Sequence, residues 1–209
     1  MVDSTSWPDQ IAYFQAIPWC AKVLSEPGII TMPPITRQFD PETRNSEFLG
    51  VTLHSQATIP FFVGCFHVPD GNNTQCSATD ERPFEKRFVT KIRFFLALNH
   101  GLSTVSKDWV HGGAIASIFD ECLGSVGFVN KMHGFLDPLP QVTQTLKLTY
   151  VRPVLTGSVI SVTSRLARFE GSKNFVVEAE MADEKGVVLA TAEATFVPLE
   201  KRRKLTEKL

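Results

Sequence analysis

Four segments in the C-terminal half of the chain show the alternation of apolar and polar residues that is typical of β-strands. They span residues 142–150, 157–169, 174–182 and 187–197. One irregularity, at Gln144, interrupts the first segment. Glycine-containing turns at 171–172 and 184–186 separate the last three segments, so consecutive strands there are predicted to pair as antiparallel hairpins.

Two further segments, residues 59–68 and 84–98, lie upstream and are rich in aromatic and β-branched residues. The polar loop between them contains Gly71 and ends at Pro83, so the second segment is expected to begin near Phe84. These segments are predicted to form a pair of strands.

The longest predicted helix spans residues 112–129, which contain no proline. At 100° per residue, one apolar face can pack on a sheet; it comprises Ala114, Ile115, Ile118, Cys122 and Val126. Asp120 points away from this face, and small residues surround it at Gly113, Ser117 and Gly124. Glu121 lies about 100° from Asp120 around the helix and is expected at the surface or in an interface. Two strands, one helix and four strands predict an α+β domain whose antiparallel sheet curls around the helix.

The N-terminal residues differ from this pattern. Residues 7–25 have apolar positions at helical spacing, and Pro18 divides them into two short helices. Prolines and scattered charges between residues 27 and 47 indicate an irregular arm that wraps the main domain. We therefore divide the chain into an N-terminal extension (1–57), the main domain (58–199) and a basic C-terminal tail (200–209).

Charge and composition narrow the possible ligands. The 209 residues include 21 Lys and Arg against 22 Asp and Glu, so no charge excess indicates nucleic acid or an anionic membrane as a partner. The N-terminus lacks a targeting pattern and no apolar run approaches the roughly 20 residues of a membrane span, which predicts a cytoplasmic protein. The four cysteines and five histidines lack zinc-ligand spacing, and no metal or cofactor is predicted.

The start of the long helix carries candidate chemistry in His111-Gly112-Gly113. The first N–H groups of a helix have no partner within it and lie at its positive end, so they form a natural oxyanion site. Two simpler interpretations remain open. The small residues around Asp120 are also compatible with close packing of a second element, and His111 is also compatible with a role in satisfying backbone groups at the helix start.

The segment from His111 to Glu121, HGGAIASIFDE, resembles the helix motif of hotdog-fold acyl thioesterases, in the branch that includes phenylacetyl-CoA and long-chain acyl-CoA thioesterases. The later segment 143–153, TQTLKLTYVRP, looks like the strand that follows this helix in the family. The resemblance covers roughly residues 58–199, and the extension is similar to that of fungal members. A longer loop at 129–140 departs from short relatives and is expected to reshape or cover the acyl pocket.

The resemblance implies a hotdog fold, an active site at a two-fold interface, and thioester hydrolysis without a metal or redox cofactor. By analogy, the Gly112 N–H, with Gly113, polarises the carbonyl, and Asp120 acts as nucleophile or general base. Thr143 orients water or the carboxylate, and His111 shapes the turn or contacts the thioester. The predicted substrate-binding residues are Gly113, Ser117, Asn99 and His100.

A helix rises about 1.5 Å per residue, so Gly112 and Asp120 lie roughly 12 Å apart along one axis. One carbonyl cannot contact both, and a shared site therefore requires a homodimer; whether dimers pair further into a tetramer is open. The alternatives are an acyl or polyketide thioester on carrier-protein phosphopantetheine, a hotdog-fold hydratase or dehydratase, and a non-catalytic acyl-binding dimer. Asp120 argues against the last, and the spacing from the HGG motif to Asp120 argues against the hydratase.

Overall fold

A computed structural model describes residues 6–69, 87–171 and 173–199. The predicted loop around Gly71, the predicted strand start at Phe84 and the basic tail lie outside these residues.

The described residues form a seven-stranded antiparallel sheet in the order β1-β2-β3-β5-β6-β7-β4. The strands are β1 (Ile30–Met32), β2 (Phe62–Phe66), β3 (Lys91–Leu98), β4 (Gln141–Tyr150), β5 (Ser158–Glu170), β6 (Asn174–Ala182) and β7 (Val188–Pro198). The four C-terminal strands are confirmed, with bounds within one residue of those predicted. Strands β5, β6 and β7 form the expected hairpins, whereas β4 pairs with β7 and lies at the edge of the sheet.

Within the described residues, the predicted second upstream strand does not include residues 87–90, and β3 begins at Lys91. Asn130 of the central helix explains the difference. Its Oδ1 accepts a 2.8 Å hydrogen bond from the Val89 N–H, and its Nδ2 donates a 2.9 Å bond to the Val89 carbonyl. A side chain therefore satisfies the backbone groups that a neighbouring strand would otherwise pair.

The central helix, α3 (Gly112–Met132), is three residues longer than predicted and packs across one face of the sheet. Its predicted apolar face is buried, except that Ala114 is only partly buried against the core.

By length and composition alone this helix is apolar enough to cross a membrane. Its packing against β3 to β7 accounts for that apolar character as the core of the domain. An antiparallel sheet with a long helix across one face is the hotdog fold, as the resemblance implied.

The two predicted N-terminal helices are confirmed as α1 (Trp7–Gln15) and α2 (Pro18–Leu24), separated at Pro18. They cover the face of the sheet opposite to α3. Alternation along β3 divides the two cores, because Phe94 belongs to the α3 core and Phe95 packs with α1 and α2.

The arm between residues 27 and 47 is more regular than predicted. Ile30–Met32 forms strand β1, which extends the sheet by pairing with β2, and Ile35–Arg37 forms a 3₁₀ turn. The pattern missed β1 because three residues between two prolines are too few to show a period. The arm then passes over α3 and contacts this helix, as expected for an arm that wraps the main domain.

Candidate active site at the central helix

His111 occupies the N-cap position of α3, with φ −62° and ψ 134°. Its ring Nδ1 accepts a 2.9 Å hydrogen bond from the Gly113 N–H. Its own N–H donates to the Leu102 carbonyl at 2.7 Å. The structure thus gives His111 the role of satisfying backbone groups at the helix start, which was one of the two interpretations open from the sequence.

Because of this cap, the two predicted oxyanion donors differ in whether their N–H is free. The Gly113 N–H is already bonded to His111, whereas no acceptor among the described residues bonds to the Gly112 N–H. The end of strand β4 packs here: Tyr150 Oη donates a 3.0 Å hydrogen bond to the Gly112 carbonyl. A Cβ atom on residue 112 would lie 3.3 Å from that hydroxyl. Gly112 is therefore the available donor, in a groove that Tyr150 also lines.

Tyr150 was not among the residues predicted for the site. Its position at the end of a strand gives no sign that this end lies over a glycine 38 residues earlier in the chain. Ser117 was predicted to bind substrate. In the structure its hydroxyl donates a 2.9 Å hydrogen bond to the Gly113 carbonyl within the same helix.

Asp120 is exposed on α3, and the Thr143 hydroxyl donates a 2.8 Å hydrogen bond to its Oδ1. The pairing of β4 with β7 shifts register between Thr143 and Thr145, which confirms the irregularity predicted at Gln144. A bulge of this kind bends the strand locally and redirects side chains. The structure thus brings together the predicted carboxylate and the predicted threonine. Thr143 bonds to Oδ1 of Asp120 and not to Oδ2.

Asp120 and Thr143 open into a groove of mostly apolar character. Its lining includes Phe128 of α3, Val142 of β4 and the stacked rings of Phe175 and Phe196, whose centroids are 5.2 Å apart. Gly127 allows this aromatic pair to approach the helix, because a Cβ there would lie 2.4 Å from the Phe175 ring. An acyl chain fits the chemistry of this groove.

Glu121 is buried, and the prediction that it lies at a surface or interface is wrong. Its carboxylate accepts hydrogen bonds from the Thr36 N–H at 3.1 Å and the Thr36 hydroxyl at 2.7 Å. Burial raises the pKa of Glu121, although the bonds from Thr36 act in the opposite direction. The helical periodicity predicted which way Glu121 faces relative to the sheet. It could not predict that the N-terminal arm covers this side of the helix. The apolar Ile118, at i−3, is buried as well and was the available signal in the sequence.

The loop predicted at 129–140 is shorter, because α3 continues to Met132. Pro140 lines the Asp120 groove, whereas the His133 ring lies 5.8 Å from the rings of Phe66 and of Phe135, between core elements. Only the end of this loop borders the candidate pocket.

Asn99 and His100 lie outside the linings of both grooves. Asn99 donates a 2.6 Å hydrogen bond to the Gln56 carbonyl, and the His100 ring is 2.9 Å from the Thr156 hydroxyl. In the isolated chain both residues connect loops.

Within residues 6–69, 87–171 and 173–199, no group of three or more His, Cys, Asp or Glu side chains could hold a metal ion. Cys122 is fully buried, as expected for a core residue, and burial raises its pKa well above the ordinary value. A thiol held in its neutral form is a poor nucleophile.

Residues 109–190 match the family model of the thioesterase superfamily. An acyl-coenzyme A thioesterase of Mus musculus, THEM4, is 32% identical over 98 residues, which cover 47% of this chain and 39% of the mouse protein. The chain thus spans about two fifths of the length of this curated relative.

Similar solved structures include a Bacillus halodurans protein with CoA, at 24% identity and a TM-score of 0.46, covering 54% of this chain and 70% of that one. The Escherichia coli PaaI protein of the phenylacetic acid degradation operon has 14% identity and a TM-score of 0.43, covering 53% of this chain and 73% of its own.

Proposed function

We propose that this chain, whose residues 109–190 match the family model of the thioesterase superfamily, hydrolyses an acyl-CoA thioester to a free acid and CoA. One observation carries the proposal: a single helix presents an unpaired N–H at Gly112 and, two turns later, a carboxylate at Asp120 that Thr143 holds. These are the two groups that acyl transfer from a thioester needs, an oxyanion donor and a nucleophile or base. The name of the mouse relative supports CoA as the carrier.

The two groups belong to different grooves, and the helical rise separates them by roughly 12 Å. We infer that two copies of the chain complete each site. In an antiparallel pair of α3 helices, Gly112 of one copy faces Asp120 of the other when the two-fold axis passes near Ala116, midway between them. Gly113 and Ser117 are small, which favours the close approach of two helices there.

The edge of the sheet supports the same interface. Strand β4 pairs only with β7, so the backbone groups along its other side have no strand partner among the described residues. Val142 is 43% exposed and Tyr150 is 55% exposed on this strand. Pairing of β4 with its symmetry copy would satisfy those groups, cover these side chains and bring the two α3 helices side by side.

Hydrolysis at such a site proceeds through a tetrahedral oxyanion. Asp120 either removes a proton from water, which adds to the carbonyl carbon, or adds directly and forms an anhydride that water then cleaves. The Gly112 N–H stabilises the negative oxygen, the C–S bond breaks, and the thiolate leaves and takes up a proton. Thr143 holds Oδ1 of Asp120 and leaves Oδ2 directed to the reaction.

The proposal is tested by thiol release from acyl-CoA esters of increasing chain length and from phenylacetyl-CoA, with Asp120→Asn as the variant and Asp137→Asn as an exposed control. We expect wild type and the control to release CoA and the acid, and Asp120→Asn to lose activity by at least about a hundredfold. Release from a carrier-protein thioester alone would identify the carrier as the substrate instead. Absence of thiol release from every ester overturns the hydrolase assignment.

A further inference from the structure

The Asp120 groove has a wall that the N-terminal arm supplies. Ile35 and Thr36, at the start of the 3₁₀ turn, line the groove together with Asp120 and Phe128. Ile35 is only half-buried, so its apolar side chain remains available to a ligand. The groove follows α3 from Asp120 to Phe128, roughly 12 Å along the helix axis.

This wall is fixed to the central helix beside the candidate catalytic carboxylate. Glu121 accepts two hydrogen bonds from Thr36, one from its N–H and one from its hydroxyl. Because Glu121 follows Asp120 directly, the arm is attached one residue from the expected site of chemistry. Two bonds to one buried carboxylate fix both position and orientation.

The turn is also held from behind. A Cβ on Gly50 would lie 3.0 Å from the Thr36 carbonyl oxygen, so the segment Phe48–Thr52 packs tightly against the turn at a position where any larger residue would push on it. The next residue, Arg37, is buried, donates a 2.8 Å hydrogen bond to the Ile59 carbonyl and lies over the Phe62 ring. The wall therefore cannot retreat without breaking these contacts.

From these contacts we infer that the arm segment Ile35–Thr36 limits the size of the acyl chain that enters the Asp120 groove, with Ile35 as a specificity-determining residue. The occupant follows from the continuity of the groove with Asp120: a thioester carbonyl at that carboxylate directs its acyl chain along the apolar lining. The inference rests on the proposed function only for the identity of the ligand as an acyl chain. It does not depend on how fast the ester is hydrolysed.

The test measures binding of S-alkyl thioethers of CoA and of pantetheine, which cannot be hydrolysed, over a series of alkyl lengths and with a branched and an aromatic group. Ile35→Ala is compared with wild type and with Ile30→Ala, an exposed isoleucine of β1 in the same arm that does not line the groove. We expect Ile35→Ala to shift the preferred alkyl group to a longer or bulkier one by about tenfold in relative affinity, and Ile35→Phe to shift it the other way. Ile30→Ala should keep the wild-type profile.

Ile35→Val removes one methyl group and provides the same comparison if Ile35→Ala does not fold. A length preference that is identical in wild type, Ile35→Ala and Ile35→Val overturns the inference, and so does a wild type that binds no alkyl thioether. Hydrolysis is measured on the same proteins. If wild type hydrolyses no ester but its binding profile shifts with Ile35, the proposed function fails and the role of the arm stands.

Discussion

The Thr143 hydroxyl donates a 2.8 Å hydrogen bond to Oδ1 of Asp120 and so joins the edge strand β4 to the central helix α3. Both side chains are near the solvent-facing edge, where water competes with such a bond, yet the bulge at 143–145 directs Thr143 onto the carboxylate. A threonine one residue out of register would face the other side of the strand. The bond therefore occupies Oδ1, and the proposed function assigns the reaction to Oδ2.

Thr143→Val removes this hydrogen bond and keeps the shape of the side chain. We expect kcat to fall by at least about tenfold, because loss of one hydrogen bond to a charged group costs roughly 1.5–3 kcal/mol. Thr143→Ser should retain most of kcat. Thr145→Val, the next threonine on the exposed strand, serves as the control, and an equal loss in that variant would assign the effect to the strand rather than to Asp120.

His111 is expected to matter through the helix cap. His111→Ala leaves the Gly113 N–H without its acceptor and should lower the free energy of unfolding by about 1 kcal/mol. Asparagine is a favoured N-cap residue, so His111→Asn should keep both the stability and kcat close to wild type. Urea unfolding and thiol release on the same samples separate the two roles: normal stability with a large loss of kcat in His111→Asn would show direct catalysis by the imidazole.

The Gly112 N–H can be removed without breaking the helix. Proline is favoured at the first helical position, and His111, with φ −62° and ψ 134°, already has the conformation required before proline. Gly112→Pro should lower kcat by about a hundredfold to a thousandfold, as expected for an oxyanion donor. Gly112→Ala keeps the N–H and adds the same Cβ against Tyr150, so a similar loss there would indicate a steric effect.

Glu121 predicts a pH dependence of stability. Because burial raises its pKa above the ordinary 4.5, the folded state binds a proton more tightly than the unfolded state. The free energy of unfolding contributed by Glu121 is therefore greatest below pH 4.5 and falls as the pH rises through its folded-state pKa. Glu121→Gln lacks this titration, so wild type minus variant should decrease from acidic to neutral pH in urea unfolding. A difference that does not change with pH contradicts the raised pKa.

Periodicity predicted the strands β4 to β7 to within one residue at each end and α3 to within three residues, because each packs one face against the same core. It did not predict interactions between distant segments. Asn130 replaced strand pairing at Val89, the arm covered Glu121, and the end of β4 placed Tyr150 over Gly112. Asp120 and Thr143 were found through the family motif, since neither a carboxylate on a helix nor a threonine in a strand is distinctive by itself.

The shared site is tested most directly by mixing two defective chains, Asp120→Asn and Gly112→Pro, refolded together with different affinity tags so that the heterodimer can be isolated. Each variant alone should release little thiol. The heterodimer contains one site with both defects and one with neither, so we expect about half of the wild-type kcat per dimer. A heterodimer as inactive as its parents, although wild type is active and the two chains are shown to be paired, would contradict a site built from two copies of the chain.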